Sequence, residues 1–346
     1  MTNLESQMAD ATKREVAQLT SQRFSISKGL ITIGTATVLL FIVSAILAPS
    51  SVSGTSLAGM LPIASVLAVA GLGQMLAIQQ GGIDLSVAGA MSLAIVIVTH
   101  NPDGNNAQLL PAILLALMFA VIAGVANGLM IGGLGLNPII ATLGTNALLY
   151  GVNLMISGGR PRITTTLLAS VTGGSSFGIP NAVFFALGAL LLVTVLVRRT
   201  VAGRRFEAVG ANPRAARAVG LRVKLHQTSA YVWAQLLYCV AGIMIAGITV
   251  QPSAFEGDSY LLISVAVVVL GGTSLLGGRG FPLATVIAAL FLQQLVQFVI
   301  QLGVSTAIQT IVQAAALAVG VSLYTVNWAA IWAKVTRRQR FTPATS

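Results

Sequence analysis

Long apolar stretches, separated by short polar or glycine-rich breaks, dominate the chain. Each is about as long as the ~20 residues that a helix needs to cross a bilayer. They cover residues 30–48, 56–78, 84–100, 108–131, 138–156, 179–197, 227–250, 260–276, 281–302 and 305–326. The pattern predicts an all-α, polytopic membrane protein with about ten transmembrane helices.

Composition supports this class. Only 8% of the residues are charged, whereas soluble domains carry about 25%. Between residues 29 and 197 the only charges are Asp84, Asp103, Arg160 and Arg162. Most side chains therefore do not face water, and a large soluble core is a poor explanation.

The net charge of +11 is concentrated in three basic islands that flank apolar spans. The positive-inside rule explains such islands more simply than nucleic-acid binding does. An even number of crossings between islands places both termini and the central island in the cytoplasm, and leaves Arg160 and Arg162 outside. The predicted segments are a cytoplasmic tail over 1–28, a transmembrane domain over 29–327 with a cytoplasmic loop over 198–225, and a second cytoplasmic tail over 328–346.

The central island predicts one or two short helices. Asn212 suits an N-cap, Pro213 suits the first helical position, and Gly220 suits a left-handed C-terminal cap. Gly210 is a candidate end for an earlier helix. Such arginine-bearing helices can lie on the membrane surface or dock into another protein, and the residues alone favour neither.

Asp84 is the only acid within a predicted membrane core region, at a predicted helix start. Two interpretations stay open: a cap that fixes a turn, or a relay for a proton or substrate. Uncharged polar residues in the spans are likewise open to two interpretations, helix–helix hydrogen bonding or lining of a solute pathway. The candidates for a pathway lining are Asn146, Asn153, Gln293 and Gln297.

The sequence offers no enzymatic machinery. It has no Gly-Lys dipeptide and therefore no Walker A motif. His100, His226 and Cys239 are too far apart in sequence to suggest a metal-ligand cluster. An enzymatic function is therefore a poor interpretation, and we predict that the chain itself binds no cofactor or metal.

Three segments resemble the permease subunits of bacterial ribose-type ABC importers. In chain order they cover Gly81–Val87, Glu207–Ala216 and Val268–Gly280, and Ser157–Pro161 is also similar. The resemblance extends over roughly residues 30 to 326. It implies a type II importer permease fold in the bacterial inner membrane.

The resemblance also implies a function and partners. The chain would move a monosaccharide, a ribose-like pentose or a hexose, from periplasm to cytoplasm. Its partners would be a second permease copy or paralogue, a periplasmic binding protein, and an ATPase subunit that binds the ATP and Mg²⁺. The alternative function, an ion-coupled secondary transporter or channel, needs ionisable residues along the pathway, and only Asp84 offers itself.

The resemblance assigns residues to two roles. The residues implied in coupling to the ATPase are Arg204, Arg205, Phe206, Glu207, Asn212, Pro213, Arg214, Ala216 and Gly220. The residues implied in gating turns are Gly81, Gly82, Asp84, Ser86, Gly271, Gly272, Thr273 and Ser274.

Overall fold

A computed structural model describes residues 28–305 together with 307, 308, 311, 312, 314 and 315. The predicted tails over 1–28 and 328–346, apart from Lys28, and most of the predicted tenth span lie outside the described residues. Within the described part the chain is almost entirely helical, as predicted.

The structure contains helices of very different length. In chain order they are α1 (Lys28–Leu47), α2 (Gly54–Gln79), α3 (Val87–His100), α4 (Leu109–Gly128), α5 (Pro138–Ser157), α6 (Thr166–Gly173), α7 (Asn181–Thr194), α8 (Val201–Ala211), α9 (Pro213–Ala218), α10 (Val223–Thr249), α11 (Tyr260–Leu270) and α12 (Pro282–Gln301). Strands β1 (Ser175–Ser176) and β2 (Ile179–Pro180) form a small antiparallel hairpin before α7. Single π-helical turns extend α4 to Gly133 and α7 to Arg199.

Seven of the described helical segments are long and apolar enough to cross a membrane. They correspond to α1, α2, α4, α5, α7, α10 and α12 with their extensions. The protein is thus a multi-pass membrane protein, and the count of about ten spans is not confirmed. Two predicted spans are shorter than expected: α3 has only 14 residues, and α11 has only 11.

The predicted helix over 260–276 was wrong over residues 271–276. The helix stops at Leu270, and the next helix begins only at Pro282. Gly272, Gly277 and Gly278 have φ values of +83°, +89° and +100°. Only glycine adopts such angles readily, so this segment forms an irregular turn instead of a helix.

Helices α2 and α10 occupy the centre of the structure. In α2 83% of the most apolar window is buried, against 17% in α1 at the periphery. Helix α10 packs against α2, α3 and α4. Gly124 and Gly128 of α4 lie directly against the backbone of Val232 and Thr228, the close approach that small residues permit between membrane helices.

The loops gather at two ends of the bundle. At one end, α8 and α9 lie beside the end of α2 and the turn before α12. At the other end, the Thr164 N–H donates to the Val250 carbonyl oxygen at 2.8 Å, and Arg162 forms an ion pair with Asp103. The two ends therefore carry different chemistry, and the arginine-rich helices belong to the first.

Candidate coupling site

The three motifs of the resemblance meet at one end of the bundle. The Gly278 N–H donates to the carbonyl oxygen of Gln79 at 3.0 Å. The side chain of Gln80 donates to the carbonyl oxygen of Phe206 at 2.9 Å. The end of α2 is therefore bonded both to α8 and to the glycine-rich turn before α12, although these segments are far apart in sequence.

Backbone packing at this junction is unusually close. A Cβ built on Gly210 would lie 2.1 Å from the carbonyl oxygen of Gln79. A Cβ on Gly277 would lie 2.8 Å from the carbonyl oxygen of Gly210. Because no side chain separates the three segments, α8 is in direct contact with both turns. Gly210 was a candidate end for the earlier of the two short helices. That helix, α8, ends one residue later, at Ala211.

Arg198 connects the end of α7 to the same junction. One guanidinium nitrogen donates to Glu207 at 2.8 Å, and the other donates to the carbonyl oxygen of Gly280. The guanidinium carbon also lies 5.6 Å from the centre of the Phe281 ring. The ion pair is partly buried, so it is screened less than a surface pair and orients α8 against the bundle.

The central loop contains two short helices, and the caps predicted for the second, α9, are confirmed. The Asn212 side chain accepts hydrogen bonds from the backbone N–H groups of Arg214 and Ala215, at 3.1 and 3.0 Å. Pro213 occupies the first position of α9, and Gly220 follows that helix with φ of +80°. A Thr200 cap, at 2.9 Å from the Gly203 N–H, starts α8.

The residues implied in coupling divide into two groups, apart from the half-buried Pro213. Phe206 packs in the core of the bundle, Glu207 is held by Arg198, and Ala216 packs in a small separate cluster with Val209 and Val223. Arg204, Arg205 and Arg214 are exposed, as are Asn212 and Gly220. Sequence reasoning treated them as one set; the structure separates residues that anchor α8 and α9 from residues that these helices present outwards.

The turn between α2 and α3 is built around Asp84. The Ser86 N–H and hydroxyl both donate to Asp84 Oδ1, at 2.9 and 2.5 Å. The Gln74 amide, oriented so that both its ends are satisfied, donates to the Asp84 carbonyl oxygen at 3.0 Å and accepts from the Asp84 N–H at 3.1 Å. Asp84 therefore fixes the turn before the helix, while Ser86 occupies the N-cap position.

The N-terminus of α3 is satisfied from α5. Asn146 Oδ1 accepts from the Gly89 N–H at 2.7 Å, and the Thr142 hydroxyl accepts from the Leu85 N–H at 3.0 Å. Farther along α5, Asn153 donates to the carbonyl oxygen of Ala254 at 2.6 Å. Asn146 and Asn153 were predicted as candidates for a pathway lining, and both make hydrogen bonds that join α5 to a neighbouring helix or loop.

The glutamines of α12 are placed differently. Gln293 and Gln297 are one helical turn apart on the same face and are partly exposed. Gln301 continues that face and accepts a hydrogen bond from Ser50 at 3.0 Å. Gln294 is fully buried. The side chains of Gln293 and Gln297 therefore form a short row of partly accessible amides along one side of α12.

Sequence reasoning missed two buried amides, Asn127 in α4 and Gln235 in α10. Both donate to the Ser86 hydroxyl, at 3.0 and 2.6 Å. The signal was present, because each is a polar residue inside a predicted apolar span. Throughout the described segments, no three His, Cys, Asp or Glu residues lie close enough to hold a metal ion.

Comparison with known proteins identifies the family. The model of a family described as "Branched-chain amino acid transport system / permease component" matches residues 56–321. A probable ABC transporter permease protein from Sinorhizobium fredii is 32% identical, over 74% of this chain and 77% of its own. No solved structure matches the chain.

Two relatives carry more specific names. The ribose import permease protein of Bacillus subtilis is 33% identical, over 73% of this chain and 80% of its own length. The galactofuranose transporter permease protein of Escherichia coli is 34% identical, over 66% and 68%. The chain therefore belongs to the family of ABC-transporter permease components, as a non-catalytic, multi-pass subunit of the ribose-import type.

Proposed function

We propose that this permease carries a monosaccharide, a ribose-like pentose or a hexose, across the bacterial inner membrane from periplasm to cytoplasm. Relatives named for ribose and galactofuranose support a sugar as the substrate class. The amide row of α12, with Gln293 and Gln297 partly exposed, supports it too. Amides can both donate to and accept from sugar hydroxyl groups without introducing a charge into the membrane.

The second part of the proposal concerns coupling. Helices α8 and α9 receive the motion of a separate ATPase subunit, which binds the ATP and Mg²⁺, at the cytoplasmic side. The exposed Arg204, Arg205 and Arg214 supply the docking surface, since arginines bind carboxylates through two parallel hydrogen bonds. Phe206 and Glu207 anchor the surface to the bundle.

A single observation carries the coupling proposal: α8 touches both glycine-rich turns without an intervening side chain. A displacement of α8 would therefore move the end of α2 through Gln79 and the turn before α12 through Gly277. These turns, with Gly81, Gly82, Gly271 and Gly272, then gate the pathway as the helices alternate between outward and inward access. Packed elements transmit such shifts because cores have low compressibility.

The remaining partners follow from the proposed type II permease fold. A second copy or a paralogue completes the pathway, and a periplasmic binding protein delivers the sugar. Helices α1, α5 and α7 bury less than a third of their most apolar windows. The rest of this apolar surface must face lipid or another membrane protein, which is consistent with a partner permease. Both chain termini lie in the cytoplasm in this arrangement, on the side of α8 and α9.

The test is co-purification of the full transporter with Arg204→Glu and Arg205→Glu combined. We expect the doubly changed chain to insert into the membrane, to lose its ATPase subunit, and to lose ATP-driven uptake of labelled ribose. Both residues are exposed, so the change spares the fold. Arg160→Glu is the control, because it reverses the charge of one exposed arginine at the other end of the bundle; each single variant, Arg204→Glu and Arg205→Glu, is compared with it.

The outcomes separate the two parts of the proposal. Retention of the ATPase subunit with normal uptake in the doubly changed chain would refute the docking role. Loss of the ATPase in the Arg160 control as well would show that a charge change anywhere has this effect. If no pentose or hexose is transported or competes for transport while the ATPase subunit still binds, the proposed sugar substrate would be refuted and the proposed docking surface would not.

A further inference from the structure

An apolar groove lies between α7, α8 and α10, at the end of the bundle that carries the arginine-rich helices. Its volume is about 100 Å³, and its lining includes Leu76, Val193, Val197 and Phe206. Water is held stably only where several polar groups can bind it, and apolar cavities stay dry. The groove therefore suits an apolar occupant.

One side of the groove opens on the lipid-facing surface. Ala202 and Trp233 line the groove and are exposed. Next to the lining residues of α7, Leu192 and Val195 are exposed too. Trp233, Leu192 and Val195 belong to helical segments that are long and apolar enough to cross a membrane. An acyl chain can therefore enter the groove from the bilayer.

The groove runs towards a polar end. Trp233 and His226 both line it, and they are about two turns apart on α10, roughly 10 Å along the helix axis. At the His226 end the charge of Arg205 acts on the imidazole, so the two side chains are within electrostatic range. Arg205 is exposed and lies one turn after Ala202, on the side of α8 that lines the groove. The groove thus joins an apolar channel to a cationic end.

The charges around this end favour an anion. Arg199 and Arg205 are exposed. Glu207 is the one acid in the segment 198–225, and it is paired with Arg198. The first turn of α8 also lines the groove, and the positive end of the helix dipole adds to the attraction. Basic pockets between membrane helices recognise phosphate head groups in this way.

We propose that the groove binds an anionic phospholipid, with one acyl chain between α7 and α10 and the phosphate beside Arg205 and His226. The Arg205 guanidinium donates paired hydrogen bonds to phosphate oxygens, and each buried methylene group of the chain adds to the binding. A zwitterionic lipid carries a cation beside its phosphate, which the arginines repel. The charge of the site thus selects the anionic class.

A lipid in this groove contacts three elements at once: the end of α7, the first turn of α8 and the start of α10. It therefore ties α8 to the membrane at the point where that helix begins. The lipid comes from the leaflet on the side of α8. Its identification as the cytoplasmic leaflet rests on the proposed function, whereas lipid binding depends only on the groove and its charges.

Tryptophan quenching in nanodiscs tests the proposal, because Trp233 lies in the groove. The other tryptophans, Trp328 and Trp332, are changed to phenylalanine so that Trp233 alone reports. The full chain is placed in phosphatidylcholine that contains a small, fixed fraction of a lipid with brominated acyl chains, since bromine quenches indole fluorescence on contact. We expect brominated phosphatidylglycerol to quench Trp233 more strongly than brominated phosphatidylcholine does, and this preference to weaken in high salt. Equal quenching by the two lipids would overturn the proposal.

Removal of a cation tests the head-group end of the groove. Arg205→Gln should lower the preference for phosphatidylglycerol about fivefold, the usual effect of one basic residue near an anionic lipid. The matched control is Arg214→Gln, because Arg214 is also exposed at this end of the bundle but lies on α9, none of whose residues lines the groove. Equal losses in the two variants would show that the lipid responds only to the net charge of the chain, and would overturn the site.

Blocking the groove tests the acyl-chain end without changing the charge. Ala202→Phe places a ring at the rim, and we expect the preference for phosphatidylglycerol at Trp233 to be lost. Ala208→Phe is the matched control, since Ala208 is exposed on the same helix but does not line the groove. A preference that survives in Ala202→Phe would place the lipid on the surface, and would overturn binding in the groove.

Native mass spectrometry of the assembled transporter distinguishes the lipid from a side chain of the ATPase subunit. Each wild-type permease should retain one more anionic phospholipid than each Ala202→Phe permease. Equal numbers of bound lipids in the two assemblies would show that no lipid occupies the groove once the ATPase is bound, and would overturn the proposal.

Discussion

Substitution of Gly210 by alanine tests whether α8 is coupled to the bundle by backbone contact. The new Cβ would lie 2.1 Å from the carbonyl oxygen of Gln79, and ordinary contact begins near 3.4 Å. Helix α8 would therefore have to move by ~1.3 Å. The obstacle is a backbone atom that also accepts the Gly278 hydrogen bond, so it cannot rotate away.

The size of the effect follows from two opposing contributions. Overpacking a tight site typically costs about 1–3 kcal/mol, and a rigid backbone neighbour favours the upper part of that range. Alanine gains up to ~1 kcal/mol over glycine in a helix interior, less near the helix end where Gly210 lies. We expect a net loss of about 1–2 kcal/mol in the free energy of unfolding.

Gly188→Ala provides the matched control. Gly188 also lies in a helix, α7, but a Cβ there would meet no atom within 4 Å. The same chemical change should leave stability unchanged or raise it by up to ~1 kcal/mol. A difference between the two variants therefore isolates the contact with Gln79 from helix propensity.

The assay compares both variants for thermal unfolding in nanodiscs and for the ratio of transported sugar to hydrolysed ATP in the reconstituted transporter. Gly210→Ala should melt lower and transport less sugar for each ATP, while Gly188→Ala matches wild type. If the two variants proved equal in both measurements, the contact between α8 and α2 would not carry the motion.

Two further predictions concern other contacts. A Cβ on Gly82 would lie 2.2 Å from the Tyr231 hydroxyl oxygen and about 3 Å from the Pro138 ring. We therefore expect Gly82→Ala to lower the melting temperature, and Tyr231→Phe in the same chain to restore part of the loss. A double variant that melts no higher than Gly82→Ala would refute the clash with the hydroxyl group. Partial burial raises the pKa of the Asp258 carboxyl, which accepts a hydrogen bond from Tyr150, above its ordinary value of 3.8. The folded chain thus binds that proton more tightly than the unfolded chain, and stability falls as pH rises through this range. Asp258→Asn keeps an acceptor and should melt higher than wild type near pH 7, with the gap closing towards pH 4 in a melting series; a gap that stayed constant would contradict the pKa shift.

Local rules predicted much of the secondary structure. The cap at Asn212 and the left-handed Gly220 depend on residues a few positions apart, and both are found. The break after Leu270 was missed because Leu275 and Leu276 make the hydropathy continuous, while the backbone angles of the glycines are set by the turn. Hydropathy indicates whether a segment lies in lipid or in water, and it does not predict the backbone dihedral angles of that segment.

Tertiary partners were beyond the reach of the sequence pattern. Glu207 was grouped with the docking residues because it lies in the segment Glu207–Ala216 that carries the resemblance, and its ion pair with Arg198 depends on how α7 leads into α8. The meeting of Gln79, Gly210 and Gly278 joins segments separated by tens of residues. Such contacts arise from packing, which single-sequence periodicity does not encode.

The glycine junction also bears on how these proteins diversify. Contact there runs from main chain to main chain, through Gln79, Gly210 and Gly277, so it makes no demand on the identity of the neighbouring side chains. If α8 docks on the ATPase as proposed, its outward face could accumulate substitutions and fit a different ATPase subunit while the backbone contacts beneath it stay the same. Under that proposal, partner choice and force transmission could evolve separately within the eleven residues of α8.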